Sequence, residues 1–180
     1  MHIAIILPRW VGDLVMTTPM IRAVRQHFGN DAKLTAVAKP MFQELLAGTH
    51  WFDEFIAYDR HSKKQEFGFR QAASALRSAP PDIALLVPNS LSSAALAWWG
   101  GCRRRVGYAR HGRRFLLTDP LFPLRRGWKV EVMSTAHHSM DLAERIGVAR
   151  QPLELELAIL PDDEAMLDSL MSGFFEEWNQ

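Results

Sequence analysis

The sequence is poor in several things at once. Its 180 residues include one cysteine, Cys102, so no intrachain disulfide can form, and the chain fits a reducing compartment. No run approaches the ~20 apolar residues that a membrane-spanning helix needs. There is no repeat and no low-complexity tract, which argues against a solenoid or a disordered chain. The opening "MHIAIILPRW" has no basic lead, and its apolar run is too short for a secretory signal. No GxGxxG follows that run, so the dinucleotide fingerprint is missing. A cytoplasmic protein is expected, able to touch a membrane surface but not to cross one. Net charge is +1, so overall charge selects no partner.

What is present suits one ordinary domain: 48% of the residues are hydrophobic, enough for a sizeable core. The charge is unevenly spread. Residues 103–129 hold nine basic groups and one acid, Asp119, whereas residues 154–180 hold eight acids and no Lys or Arg. That split points to a local anionic partner. Tyr108, Phe115 and Trp128 lie among the arginines, yet no RNA- or DNA-binding motif accompanies them, and no nucleic-acid partner is expected.

Apolar runs alternate with helical periodicity along the chain. "IAIIL" (3–7), "KLTAVA" (33–38), "EFIAY" (54–58), "IALLVP" (83–88) and "RRRVGY" (103–108) read as strands, as does the alternating "LELELAI" (153–159). Between them, Leu14, Ile21, Val24 and Phe28 recur at helical spacing. Pro19 should kink that helix or split off its first turn, and Gly29 should end it. Further helices are expected over 41–48, in the second half of 60–79, and over 89–101, 135–148 and 161–178, with 109–134 a long loop. At least one of Trp98 and Trp99 is expected in the core. Buried strands joined by crossover helices give an α/β fold: a Rossmann-like open parallel sheet with helices on both faces. Ligands of such sheets sit beyond the carboxyl ends of the strands, where loops start at Pro8, Ala38, Tyr58, Pro88 and Tyr108.

That rule gathers the candidate site residues. Asp13, in the turn after the first strand, reads either as a helix N-cap or as a general base; a helix N-terminus nearby favours its carboxylate and suits a proton transfer concerted with bond formation. Gly12 would allow close backbone approach. Arg9, Thr17 and Thr18 flank the same turn, each open to a purely structural role. Asn89 and Ser90 read as helix caps or as hydrogen-bonding partners of a sugar hydroxyl. Arg60, His61, Lys63 and Lys64 form one basic loop, and Arg103–Arg105, Arg110, Arg113 and Arg114 form another, both assigned to the same edge; arginine grips phosphate and carboxylate bidentately. His137 and His138 are adjacent on a helix and diverge, so they make poor metal ligands. Phe174, Phe175 and Trp178 at the end of the last helix call for a covering partner.

Three stretches occur in order: "PRWVGDLVMTTPMIRAVR", "LLVPNSLSSAALAWWGG" followed by "RRRVGYARHGRRFLLTD", and "HHSMDLAERIGV". Over residues 1 to about 160 the chain resembles the ADP-heptose:lipopolysaccharide heptosyltransferases of glycosyltransferase family 9, with "VPNS" and "RRVGYARHGRR" pointing to the heptosyltransferase II type. The resemblance implies the amino-terminal, acceptor-binding half of a GT-B fold, followed by a helix (161–180) leading to a donor-binding domain that this chain lacks. It implies inverting, metal-free transfer of heptose from ADP-heptose to the lipopolysaccharide inner core, Kdo-lipid A already carrying heptose, at the cytoplasmic face of the inner membrane. Asp13 takes the catalytic role. Arg9, Gly12, Thr17, Thr18, Arg60, Lys63, Lys64, Asn89, Ser90, Arg105, Arg110, Arg113 and Arg114 are the acceptor-binding candidates; no cofactor or metal is implied.

Such a half should not catalyse transfer alone. Other readings stay open: a non-catalytic binding module for an anionic glycolipid, a truncated remnant, or a type I acceptor preference. A Rossmann domain that binds a nucleotide is disfavoured by the missing glycine fingerprint.

Overall fold

The computed structural model describes residues 1–126, 129–130, 133–160, 162–167 and 171. In chain order these form β1 (His2–Ile6), α1 (Val11–Val15), α2 (Thr18–Phe28), β2 (Lys33–Ala38), α3 (Met41–Ala47), β3 (Glu54–Ala57), α4 (Phe69–Ser78), β4 (Ile83–Leu86), α5 (Leu91–Trp99), β5 (Arg104–Tyr108), β6 (Asp119–Leu121), the antiparallel pair β7 (Arg125–Arg126) and β8 (Lys129–Val130), and α6 (Thr135–Arg145).

The first six strands make one sheet in the order β3-β2-β1-β4-β5-β6, every neighbouring pair parallel. The alternation of side chains along a strand divides the core into two layers. Ile3 and Ile5 of β1 pack with Met20, Ile21 and Val24 of α2, Phe42 of α3 and Met140 of α6. Ala4 and Ile6 face the other way, onto Ala72 and Leu76 of α4 and Leu96 and Ala97 of α5. Helices therefore cover both faces, as a parallel sheet of doubly buried strands requires. α4 and α5 pack closely enough that a Cβ on Gly100 would lie 2.7 Å from Leu76 Cβ.

The break at Pro19 is real. α1 stops at Val15 and α2 starts at Thr18, with proline in its first turn, where no intrahelical N–H partner is lost. Gly29 closes α2 with φ of 57°, a conformation glycine adopts without steric cost.

Three expectations fail. The 109–134 loop contains a sixth sheet strand, β6, whose "DPL" has proline on an edge strand and no alternation to reveal it. The alternating stretch 153–159 is not a strand. It runs over α2, where Arg22 donates to the carbonyls of Pro152 (3.1 Å) and Glu154 (3.2 Å) and pairs with Glu156 (2.7 Å), while Glu156 N–H donates to Thr18 Oγ1 (3.1 Å). Side chains of a helix hold this backbone in place of a neighbouring strand. Trp98 and Trp99 are both exposed, at 55% and 57%, because α5 turns Ser93, Ala94, Leu96 and Ala97 inward. Of the final helix, 162–167 is helical; Trp128, Phe174, Phe175 and Trp178 lie outside the described residues.

Candidate functional site

The strand order reverses direction between β1 and β4, and the loops leaving these two strands diverge there. A cavity of about 240 Å³ opens beyond the carboxyl ends of β1 to β4. Each strand contributes its next few residues: Arg9 after β1, Lys39 after β2, Tyr58, Arg60 and His61 after β3, Ser90 and Ser92 after β4. Three cations and a histidine thus meet over an apolar floor of Ile6 and Val37, with Asp59 the one acid in the lining. None of Arg9, Lys39 and Arg60 forms an ion pair among the described residues. The Tyr58 hydroxyl is buried and has no hydrogen-bond partner there. Burial raises its pKa, opposed by the nearby Ser92 hydroxyl, which falls short of full hydrogen-bond geometry, and by the Arg60 charge. Trp10, 64% exposed, lies at the rim with Arg9 5.1 Å and Lys39 5.9 Å from its ring centre.

Asp13 stands on the adjoining turn. It is not the cap: Trp10 holds the N-cap position of α1, and Asp13 follows in the first turn, half-buried. Thr135 Oγ1, from the first turn of α6, donates to Asp13 Oδ1 at 3.1 Å. Asp13 forms no ion pair among the described residues, so nothing there neutralises the carboxylate. A Cβ on Gly12 would meet nothing within 4 Å, so no atom of the described residues requires glycine at that position.

Several candidates have internal work instead. Thr17 and Thr18 are fully buried. Thr17 Oγ1 donates to Asp13 O (2.7 Å) and Thr18 Oγ1 to Val15 O (2.8 Å), which ties the two short helices together and leaves neither hydroxyl facing a ligand. Arg113, also fully buried, donates to Tyr108 O (2.9 Å), Pro88 O, Ser90 O (3.2 Å), Ser93 Oγ (3.0 Å) and Asn89 Oδ1 (3.0 Å). Burial brings its pKa down to about 10. Asn89 is thus a partner of Arg113, and Ser90 is the cap of α5, its side chain accepting from Ser93 N–H.

The arginines 103–105 do not share the cavity's edge. They enter β5 at its amino end, so they lie on the opposite edge of the sheet. Arg105 donates to the carbonyls of Leu116 (2.6 Å) and Cys102 (2.7 Å), and Arg104 pairs with Asp119 (2.9 Å). Lys63 and Lys64 are exposed beside the cavity rather than in its lining, and Lys64 lies 3.9 Å from Glu66. Arg110 is half-buried near His138, and Arg114 lies over the Phe122 ring at 5.5 Å.

His138 stacks on Tyr108, centroids 4.1 Å apart, and burial followed by the charge of Arg110 lowers its pKa. Tyr108 in turn donates to Asp141 at 2.5 Å. No cluster of three or more His, Cys, Asp or Glu among the described residues could hold a metal ion, and no helix there is long and apolar enough to cross a membrane. The sequence reading passed over Lys39, Ser92 and Thr135. Lys39 could have been found, since it directly follows a strand; Thr135 carries no local signal, lying 122 residues from Asp13.

No protein-family model matches the chain. It is 27% identical over 161 residues to lipopolysaccharide heptosyltransferase 2 of Escherichia coli (strain K12), covering 89% of this chain and 45% of that protein. The lipooligosaccharide heptosyltransferase 2 of Haemophilus influenzae is 28% identical over 119 residues, 66% of this chain and 34% of that one. The chain is related to the lipopolysaccharide heptosyltransferases. It spans about half the length of these relatives or less.

Solved structures agree on the fold. The ADP-heptose heptosyltransferase II of E. coli superposes with a TM-score of 0.68 at 23% identity, covering 96% of this chain and 51% of that one. A family 9 glycosyltransferase from Veillonella parvula DSM 2008 superposes with a TM-score of 0.77 at 18% identity, covering 96% and 49%. The heptosyltransferase relatives share an α/β sheet of this kind, and this chain matches one half of each.

Proposed function

We propose that this chain is the acceptor-binding half of an inverting heptosyltransferase of the II type, acting on the lipopolysaccharide inner core. The observation that carries the reading is the juxtaposition at the sheet's switch point. A cavity with three cations that form no ion pair among the described residues, and a Tyr58 hydroxyl with no hydrogen-bond partner among them, adjoins a carboxylate that one hydrogen bond holds there. An unsatisfied buried hydroxyl costs about 1–3 kcal/mol, which a phosphate or sugar oxygen in the cavity would recover. Arg9, Lys39 and Arg60 suit the phosphates and Kdo carboxylates of the inner core.

In this reading Thr135 holds Oδ1 of Asp13 and leaves Oδ2 for the acceptor hydroxyl. Oδ2 takes the proton as the acceptor oxygen attacks the anomeric carbon of ADP-heptose; the bond from that carbon to the phosphate oxygen breaks, and ADP departs with the electron pair. Attack opposite the leaving group inverts the centre. The donor would be held by the other half of the relatives' fold.

The test pairs binding with transfer. Titration calorimetry should show this chain binding heptosylated Kdo-lipid A, several-fold more weakly as Arg60→Ala. Supplied with the donor-binding half of a relative and ADP-heptose, Asp13→Asn should cut transfer by about 10²–10⁴-fold while acceptor affinity holds. Binding with transfer unchanged in Asp13→Asn removes the general base from the scheme. Acceptor binding without transfer by the unmodified chain would favour a binding module.

A further inference from the structure

We propose that the outer face of α4 and α5 docks on an anionic lipid surface, with Trp98 and Trp99 entering the interface and Arg70 and Arg77 on headgroup phosphates. The face is separate from the cavity. α5 starts at the cavity with Ser90 and carries its tryptophans about 12 Å further along its axis, towards the amino edge of the sheet.

The two indoles are the observation that needs an account. Trp98 and Trp99 are more than half exposed, packed edge-on to one another at 6.2 Å, and Trp99 meets Phe69 of α4 edge-on at 6.2 Å. Arg77 lines a shallow hollow with both tryptophans and a second with Phe69, Arg70 and Trp99. Leu91, one heptad before Trp98 on α5, is 49% exposed and extends the apolar stripe.

Charge selects the occupant. Neither Arg70 nor Arg77 forms an ion pair among the described residues. Between Phe67 and Gly101, the stretch that contains both helices, the charged residues are Arg70, Arg77 and a single acid, Asp82. Both helices lack acids altogether. A second copy docking by the same face would set arginine against arginine, which opposes a symmetric dimer. Indole rings settle at the boundary between headgroups and acyl chains, and basic side chains beside them are drawn to anionic lipid. The pattern fits a bilayer surface better than a flat protein partner. The inference does not depend on the heptosyltransferase reading, although a lipid-anchored acceptor would make such docking useful.

Vesicle co-sedimentation of the 180-residue chain tests it. The chain should bind vesicles of phosphatidylglycerol and phosphatidylethanolamine at least tenfold better than phosphatidylcholine vesicles, and the difference should shrink as salt rises. Trp98→Ser with Trp99→Ser should lose on the order of tenfold in partitioning, and each of Arg70→Gln and Arg77→Gln roughly fivefold. Tryptophan fluorescence quenched by acyl-brominated lipid gives a readout that needs no variant to fold. Equal partitioning onto both vesicle types, or none, overturns the proposal. So does binding lost with Arg60→Ala and Lys39→Ala but kept in the helix-face variants, which would assign it to the cavity. Equal affinity for single-stranded DNA, lost in the same variants, or a dimer abolished by the tryptophan changes, would give the face to another partner.

Discussion

Two basic regions look alike in the sequence and differ in kind once folded. After β3, Arg60 faces the cavity with Arg9 and Lys39, and none of the three has an ion-pair partner among the described residues. Around β5, Arg113 donates to five oxygens, Arg105 to backbone carbonyls and Arg104 to Asp119. The first set is a field available to a ligand; the second is a scaffold that uses arginine's five donors to fasten loops. Charge density alone does not separate the two roles. Burial and acceptor count do.

The comparison breaks hardest at Arg113. Arg113→Ala would leave the Pro88, Ser90 and Tyr108 carbonyls and the Asn89 and Ser93 side chains without their shared donor, and would open a cavity. A loss of about 3–5 kcal/mol is expected, read as a lower urea midpoint. A change below about 1 kcal/mol would return Arg113 to the ligand-binding set. Gly107 tests the same site from the other side: a Cβ there would lie 3.1 Å from Arg113 Nη2 and 3.2 Å from Leu86 Cβ. Gly107→Ala should cost about 1–3 kcal/mol by overpacking.

Arg60 should behave in the opposite manner. Being exposed at the cavity, Arg60→Ala should change stability by no more than about 0.5 kcal/mol. Its affinity for inorganic pyrophosphate, measured by calorimetry, should nevertheless fall several-fold, and Lys39→Ala should do the same. A large stability loss in Arg60→Ala would erase the distinction between the two regions.

How much of this was readable depends on the range of the interactions. The sheet and helix layers follow from local apolar patterns, and the two-helix break at Pro19 from one residue's covalent chemistry. The ligand edge follows from topology, since strand ends place Pro8, Tyr58 and Pro88 together. What could not be read is where each side chain sends its donors. Arg113 and Asn89 meet across 24 residues and Asp13 and Thr135 across 122, and no local pattern encodes either pair. The run of charge from Arg103 to Arg114 points to a single basic loop on the ligand edge, although the first residues of a strand lie at its other end. The stretch 153–159 shows a similar limit: alternation reports a two-sided segment, not a neighbouring strand.

The finest test lies at the outer strand of the scaffold. Asp119 is held below the usual carboxylate range by hydrogen bonds from Arg104, outweighing its burial, with Thr118 adding a further donor. Since the folded pKa lies below the unfolded one, this pair's contribution is fully present at neutral pH. It is lost as the pH falls through the folded value. Arg104 is 45% exposed at its side chain and Asp119 19%, so solvent screening limits the contribution to about 0.5–1 kcal/mol. Asp119→Asn should therefore lower the urea midpoint at pH 7 by that small amount. The two unfolding curves should converge once the pH drops below the carboxylate range. A gap that persists in acid would mean that Asp119 fixes β6 to β5 through packing rather than through charge. The arginines of β5 would then be less deeply committed to the scaffold than their hydrogen bonds indicate.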